Sequence, residues 1–292
     1  MIKDYINQEK HSFPLSLLQD SCENDNQEIV YLKEALQSIQ KQAGILPCAI
    51  GESVDGQFVF DLTEAHHVLV AGSTGTGKSV LLHSIILSLL YNKRPDELQF
   101  VLIDPKNVEF DAYHMISNYA KVIHESNEAI AELDSIIIEM DNRFELFKKA
   151  DVQNIEEYNH LSGQKSLPFI VVVIDEFADL MFIEGEAFES KLSHLAALAH
   201  RVGIHLVIST QRPSCNVISG SIKANFATRI AFMVTSEFDS IVILDGIEAT
   251  ELSCAGDLIY SERNTCVRLR GTYVSKQDIE KVTEYIESNY VE

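Results

Sequence analysis

The feature that most constrains this chain is an eight-residue segment with three glycines, residues 72–79, which reads GSTGTGKS. It follows a short apolar stretch, His67–Ala71, and leads into a helical pattern over residues 78–91. Glycine allows the backbone to turn tightly and lets its amide groups approach a bound anion. The segment therefore predicts a strand, a phosphate-binding loop and a helix in succession, with the helix N-terminus facing the phosphates.

This loop predicts a site for ATP and Mg²⁺. Lys78 would reach the β- and γ-phosphates, and the Ser79 hydroxyl would coordinate Mg²⁺. The predicted nucleotide-binding set is Gly72, Ser73, Thr74, Gly75, Thr76, Gly77, Lys78, Ser79 and Val80.

A second motif follows about one hundred residues later, where the apolar stretch Phe169–Ile174 leads directly into Asp175 and Glu176. A buried strand that ends in Asp-Glu, in a chain with a phosphate loop, is the Walker B arrangement. Asp175 would hold Mg²⁺, and Glu176 would orient or deprotonate the attacking water. The second acidic residue favours hydrolysis over phosphoryl transfer to another substrate.

Residues 208–213, ISTQRP, end the next apolar strand and place Gln211 in a position suited to sensing the γ-phosphate. A polar turn after a buried strand is the alternative interpretation of this segment.

Strand and helix patterns alternate from about residue 46 onward, and the apolar runs are continuous. This predicts an α/β fold with a mostly parallel central sheet covered by helices on both faces. Strands are predicted at 67–71, 99–104, 169–175, 204–209 and 229–234, and helices at 78–91, 126–149, 187–202 and 278–290.

The ends of the chain have a different character from this central region. Residues 1–45 are polar, with Ile29, Leu32, Leu36 and Ile39 at helical spacing, so they predict a small, partly helical appendage. The ATPase region is assigned to residues 46–275 and a C-terminal helix to 276–292.

Charge and cysteine content restrict the function classes. With 23 basic and 44 acidic residues, the net charge of −21 disfavours long-range attraction to DNA or an anionic membrane, so any DNA contact must be local. Five isolated cysteines suit a reducing cytoplasm. The ten histidines show no HExxH spacing, so no metal site built from protein ligands alone is expected. No apolar run approaches the roughly 20 residues that a membrane helix needs, so no membrane insertion is expected.

Over residues 46–275 the chain resembles the FtsK/SpoIIIE family of DNA translocases. The stretches that carry the resemblance include, besides the motifs above, 45–51 (ILPCAIG), 102–109 (LIDPKNVE), 140–159 (MDNRFELFKKADVQNIEEYN), 201–214 (RVGIHLVISTQRPS) and 217–232 (VISGSIKANFATRIAF). The resemblance implies a RecA-like motor that assembles into a ring, usually a hexamer, around double-stranded DNA. ATP would bind between subunits.

The resemblance also suggests individual roles. Arg229 matches an arginine that reaches the nucleotide of the neighbouring subunit, with Arg201 and Arg212 as fallbacks and a structural surface cation as the alternative. Lys223 and Asn225, expected in a loop before the Arg229 strand, are the candidate DNA contacts. Lys106 is a weaker candidate, because it follows a strand end and can face the nucleotide instead.

The sequence departs from the family in ways that leave other functions open. The membrane helices and winged-helix module of longer relatives are not expected here, and residues 246–255 replace a glycine-rich stretch. The main prediction is a cytoplasmic, ATP-driven translocase of double-stranded DNA that acts as a homo-oligomeric ring. The alternatives are a protein-translocating pump of the type VII secretion kind and a nucleotide-dependent assembly or adaptor protein. A protein partner could bind the N-terminal segment.

Overall fold

The computed structural model describes residues 12–19, 29–39, 44–161, 163, 165–263 and 265–290. The strands of this part of the chain are β1 (Val30–Tyr31), β2 (Pro47–Ser53), β3 (Gly56–Asp61), β4 (His67–Ala71), β5 (Leu98–Ile103), β6 (Ala120–Ile123), β7 (Phe169–Ile174), β8 (Ile204–Thr210), β9 (Thr228–Phe232), β10 (Asp257–Glu262) and β11 (Thr265–Tyr273). The α-helices are α1 (Leu32–Ile39), α2 (Leu62–Ala65), α3 (Lys78–Asn92), α4 (Ser126–Ala150), α5 (Ile155–Asn159), α6 (Phe177–Glu184), α7 (Glu186–Leu198), α8 (Gly220–Asn225), α9 (Glu237–Leu244) and α10 (Lys276–Tyr290).

The strands form one mixed sheet in the order β3-β2-β11-β10-β9-β4-β8-β7-β5-β6, with β1 paired to β11. From β9 to β6 every pairing is parallel, and from β9 to β3 every pairing is antiparallel. The parallel half brings the carboxyl ends of β4, β7 and β8 to one edge. Ligands of open α/β sheets bind at such an edge.

Continuous burial explains the parallel half of the sheet. All six residues of β7 and all seven residues of β8 are buried, as expected for strands with helices on both faces. Helix α3 is also buried over most of its length, so its sequence carries almost no polar face. These observations confirm the predicted α/β fold with a mostly parallel central sheet.

The antiparallel half was not predicted. The hairpin of β2 and β3 contains a bulge between Ala49 and Gly51, and much of β11 is only half-buried or exposed. Strands that carry polar residues on an exposed face lack the continuous apolar run that identifies the central strands.

Two local expectations also differ from the structure. The stretch that contains Lys223 and Asn225 is not a loop but the short helix α8, because the Ser219 hydroxyl caps it by accepting a hydrogen bond from the Ile222 amide (3.3 Å). The helix predicted over 187–202 ends at Leu198 and continues as a 3₁₀ turn, Ala199–Val202.

The described part of the N-terminal segment packs onto the sheet. Leu32, Leu36 and Ile39 are buried along one side of α1, as their spacing predicts, whereas Ile29 precedes the helix. The rest of the predicted appendage, residues 1–11, 20–28 and 40–43, lies outside the described residues, and the assigned domain boundaries stay a prediction. No helix of the described ranges combines the length and apolar character needed to cross a membrane.

Candidate nucleotide-hydrolysis site

The phosphate loop connects the end of β4 to the start of α3, as the sequence predicts. A Cβ on Gly72 would lie 2.6 Å from the Cβ of Phe232, so the loop can pass β9 only with glycine at this position. Gly77 caps α3 with a φ of 118°, a conformation that L side chains rarely adopt. The two glycines therefore fix the path of the loop from opposite ends.

Lys78 is held inside the loop that precedes it. Its ammonium group donates hydrogen bonds to the carbonyl oxygens of Gly72 (2.9 Å) and Ser73 (2.6 Å). Burial lowers the pKa of Lys78 to about 8, although Glu176 and Asp175 oppose the shift. A phosphate group in the loop would favour the charged form of Lys78, because it adds negative charge to a desolvated cation.

Asp175 lies directly after β7 and is almost fully buried. Its carboxylate accepts a hydrogen bond from the Ser209 hydroxyl (2.7 Å). Burial raises the pKa of Asp175, and the nearby carboxylates of Glu109, Asp104 and Glu176 raise it further. Converging acidic groups of this kind are unfavourable unless a cation is present.

Glu176 occupies a left-handed backbone conformation (φ 51°, ψ 59°) and is only 1% exposed. Its carboxylate accepts hydrogen bonds from the Thr210 hydroxyl (2.9 Å) and the Gln211 amide (3.0 Å). The Lys106 ammonium group lies 3.5 Å from Oε2, the same oxygen that accepts from the Gln211 amide, so Lys106 lies beside the Walker groups. The carboxylate is thus fixed in orientation from several sides.

Gln211 joins the two halves of the site. Its side-chain oxygen accepts a hydrogen bond from the Thr74 hydroxyl (2.6 Å), while its backbone amide binds Glu176. A chain of contacts therefore runs from the phosphate loop to the carboxylate that would activate water.

Sequence reasoning missed Glu109. The Ser79 hydroxyl donates to its carboxylate (2.9 Å), and His83, whose Nε2 atom lies 3.6 Å from the other carboxylate oxygen, is the main cause of the lowered pKa of Glu109. The residue lies in the stretch 102–109 (LIDPKNVE), which carries part of the family resemblance. The sequence of this stretch does not show that Glu109 contacts Ser79. Its position depends on the buried Asp104.

The carboxylate of Asp104 organises this loop. It accepts hydrogen bonds from the backbone amides of Lys106 (3.1 Å), Val108 (2.7 Å) and Glu109 (2.8 Å). This arrangement places Lys106 beside Glu176 and Glu109 beside Ser79. The oxygen set of Ser79, Asp175 and Glu109 has the ligand chemistry that Mg²⁺ prefers.

A cavity of about 330 Å³ opens beside the phosphate loop. Its lining is mostly apolar and includes Val80, Phe232, Leu258 and Tyr273. The size and lining suit an aromatic base next to the phosphate-binding residues.

Arg229 lies near the start of β9 and is bound within its own chain. Its guanidinium group donates to Asp245 (2.6 Å) and to the carbonyl oxygens of Ile243 (3.2 Å), Lys223 (3.2 Å) and Phe226 (3.1 Å). These contacts connect β9 with the ends of α8 and α9.

Of the other predicted DNA- or nucleotide-contacting residues, Arg212 directly follows Gln211, and Lys223 and Asn225 lie on α8. The Lys223 ammonium group also binds Asp245 (2.6 Å), and the Asn225 side chain donates to the Ser221 carbonyl oxygen (2.9 Å). Arg201 and Arg212 are exposed, and the Arg212 guanidinium lies 5.6 Å from the centre of the Phe182 ring.

The chain matches a known protein family and several curated proteins. The profile of the FtsK/SpoIIIE family matches residues 31–215. The DNA translocase FtsK of Treponema pallidum is 42% identical over 276 residues, which is 90% of this chain and 34% of that protein. The DNA translocase FtsK of Streptococcus pneumoniae is 42% identical over 265 residues, 86% of this chain and 35% of that protein. The chain spans about a third of the length of these relatives.

Solved structures support the same architecture. The pCW3 conjugation coupling protein TcpA, a monomer form with ATPγS, has a TM-score of 0.74 and 28% identity, covering 93% of this chain and 74% of that one. The cytoplasmic domain of the Thermomonospora curvata type VII secretion ATPase EccC has a TM-score of 0.72 and 24% identity, covering 82% of this chain and 31% of that one. The second similarity shows the fold alone.

Proposed function

The chain belongs to the FtsK/SpoIIIE family, and on that premise we propose that it is the ATP-hydrolysing motor of a double-stranded DNA translocase. The motor works as a homo-oligomeric ring, most simply a hexamer, in the cytoplasm. Support comes from relatives about 40% identical that are named DNA translocases, and from a site in which the phosphate loop, Asp175 and Glu176 are linked by hydrogen bonds through Ser209, Thr210 and Gln211.

The observation that carries the proposal is the chain of hydrogen bonds from Thr74 through Gln211 to Glu176. A phosphate in the loop would meet Thr74 and Gln211 on the same side as Glu176. Gln211 then senses the γ-phosphate, and Glu176 accepts a proton from the attacking water. A binding protein without hydrolysis would not require a fixed carboxylate at this point.

The charges around the site define the remaining roles. Lys78 exchanges its contacts with the loop carbonyls for contacts with the β- and γ-phosphates. Ser79 and Asp175 hold Mg²⁺, and Glu109 orients the Ser79 hydroxyl. Mg²⁺, when bound, neutralises negative charge that develops on the phosphates. Lys106 keeps Glu176 oriented until substrate arrives.

Arg229 completes the site of the neighbouring subunit in this proposal. To reach a nucleotide it must release Asp245 and the carbonyl oxygens that it binds within its own chain. An arginine supplied in this way raises hydrolysis by several powers of ten. Arg201 and Arg212, both exposed, are the alternatives.

DNA contact is local in this proposal, because the chain is strongly acidic. Lys223 and Asn225 on α8 contact phosphates, which position the duplex without reading its bases. Binding is therefore independent of sequence and weakens as salt increases.

The test is the ATPase rate as a function of double-stranded DNA concentration at low and moderate salt. The proposal predicts strong stimulation by any duplex at low salt and much weaker stimulation at moderate salt. Stimulation by no duplex, in protein that hydrolyses ATP, would support the protein-pump or adaptor alternatives. Protein that binds ATP without turnover would support the adaptor alone.

A further inference from the structure

A cluster of potential metal ligands lies outside the Walker groups, although no metal site built from protein ligands alone is expected from the spacing of the histidines. Asp111 and His114 belong to a 3₁₀ turn, Asp111–Ile116, and His124 follows β6. One ligand atom from each of the three side chains lies within 4.8 Å of the other two. We propose that these residues form a site for a divalent transition metal of the Zn²⁺ class.

The spacing of the two imidazoles is the first argument. The Nε2 atoms of His114 and His124 are 3.2 Å apart. Two nitrogens bound to one tetrahedral zinc ion, at roughly 2.0–2.1 Å each, lie about 3.3–3.4 Å apart. The two nitrogens therefore already have about the separation that a shared zinc ion requires.

The second argument is the hydrogen bond that orients His124. Its Nδ1 atom lies 3.0 Å from the Asp104 carbonyl oxygen and donates to it, which leaves the lone pair on Nε2 facing His114. Histidines that bind metal ions usually donate their second ring N–H to a carboxylate, a backbone carbonyl oxygen or water.

The third argument is the position of the remaining two ligands. Asp111 and His114 are three residues apart in a 3₁₀ turn, so their side chains lie on the same side. Together with His124 they make two imidazoles and one carboxylate, a common zinc ligand set that leaves one position for water or another donor. Without an ion, His114 donates its Nε2 proton to His124; with an ion, that proton moves to Nδ1 of His114.

The site also has a structural connection to the loop described above. The Asp104 carbonyl oxygen binds His124, and the Asp104 carboxylate holds the amides of Lys106 and Glu109. An ion that fixes His124 would therefore stabilise the loop that carries Lys106 and Glu109. Binding of this ion requires neither ATP nor DNA.

The test is titration of the untagged full chain, without nucleotide, with Co²⁺ and Zn²⁺ as separate probes. The proposal predicts one equivalent of Co²⁺ with the visible absorption of a tetrahedral or five-coordinate ion, displacement of that ion by Zn²⁺, and a higher melting temperature with Zn²⁺. His114→Gln and Asp111→Asn should each weaken binding by at least about tenfold.

His194→Gln is the matched control, because His194 is an exposed histidine on α7, and it should bind as wild type does. His124→Gln also loses the contact with Asp104, so His114→Gln and Asp111→Asn decide the outcome if that variant does not fold. Equal binding by wild type, His114→Gln and Asp111→Asn would overturn the proposal, as would the absence of a stoichiometric cobalt spectrum.

Discussion

The Walker site and the Arg229 cluster both contain charged groups, but they differ in how these charges are compensated. In the Walker site, Asp175, Glu176 and Glu109 converge, and burial and this clustering raise the pKa of Asp175. In the Arg229 cluster, Asp245 is paired with both Lys223 and Arg229, and the Lys223 contact is the main cause of its lowered pKa. The converging carboxylates of the first region need a cation beside them, whereas the single carboxylate of the second is already paired with two cations.

This difference indicates that the Walker site is built to bind a ligand, whereas the contacts of the Arg229 cluster support the fold. The Walker site holds its groups in orientation and leaves carboxylates whose negative charge only a cation can neutralise. The Arg229 cluster already satisfies its guanidinium with carbonyl oxygens and a carboxylate. If Arg229 also acts in a neighbouring site, it must give up these contacts, so assembly and the stability of this cluster are linked.

Replacement of Glu176 should have the largest effect. Glu176→Gln keeps the side-chain shape but removes the base, so hydrolysis should fall by about 10²-fold or more. ATP binding should remain, because the phosphate loop is unchanged. Single-turnover hydrolysis and equilibrium nucleotide binding measure the two effects.

Glu287→Gln, an exposed change on α10, is the control and should match wild type. Near-normal turnover by Glu176→Gln would remove Glu176 from its catalytic role.

Arg229→Ala tests whether the Arg229 cluster has a second function. Removal of the guanidinium leaves the carbonyl oxygens of Ile243, Lys223 and Phe226 without this donor, which should lower the free energy of unfolding by about 1–3 kcal/mol. Hydrolysis should fall much further than stability explains. A mixture with Glu176→Gln protein should regain activity, because one interface can then combine an intact Arg229 with an intact Glu176.

Urea denaturation and the ATPase rate of mixed subunits are the measurements. Arg268→Ala removes a more exposed arginine paired with Asp257 and should not need rescue. Absence of rescue, in subunits shown to mix, would leave Arg229 with a structural role alone.

The pH dependence of ATP binding should reveal the lowered pKa of Lys78. Because this pKa is about 8 in the nucleotide-free protein, Lys78 is mostly charged at pH 7 and mostly neutral at pH 9. Phosphate binds the charged form, so the affinity for ATP should fall by about tenfold between these pH values.

In the absence of nucleotide the lowered pKa has the opposite consequence for stability. The unfolded chain binds this proton more tightly, so stability due to Lys78 increases between about pH 8 and the ordinary lysine pKa. Nucleotide titrations at several pH values measure the first effect. Lys78→Arg, which stays charged, should bind more weakly but without the loss of affinity between pH 7 and pH 9; an equal loss would assign the dependence to another group.

Lys223→Ala should have the smallest effect. It should weaken DNA stimulation of ATPase activity a few-fold, with the DNA-free rate near its original value. The slope of log K for DNA binding against log salt concentration should become smaller by about one unit for the lost contact. Lys281→Ala, an exposed change on α10, is the charge-matched control. If strong stimulation survives Lys223→Ala unchanged, the DNA contacts lie on another element.

The sequence identifies those parts of the molecule in which one short stretch carries the whole signal. Residues 72–79 and 169–176 specify the strands, turns and charges of the Walker site, because their continuous burial and glycine spacing are local properties. The antiparallel strands β10 and β11 have no such signal. The two strands follow each other in the chain and pair from Asp257–Arg270 to Glu262–Thr265, but their place in the sheet depends on pairing with β9 and β2, which lie farther away in the sequence.

The same reason explains the missed residues. Glu109 binds Ser79 only because Asp104 folds the intervening loop, and Asp245 meets Arg229 across 16 residues. Neither of these two contacts follows from a regular spacing of residues in the sequence. Arg229 could be recognised as important from the family resemblance, but its neighbours could be identified only from the structure.

The central claim is that ATP hydrolysis in this chain moves it along double-stranded DNA. Displacement of a third strand from a triplex on a linear duplex tests this claim directly, since a motor must remove the obstacle as it travels. The account predicts ATP-dependent displacement by wild type, independent of duplex sequence, and none by Glu176→Gln. DNA-stimulated ATPase activity by assembled wild-type protein without any displacement would contradict it.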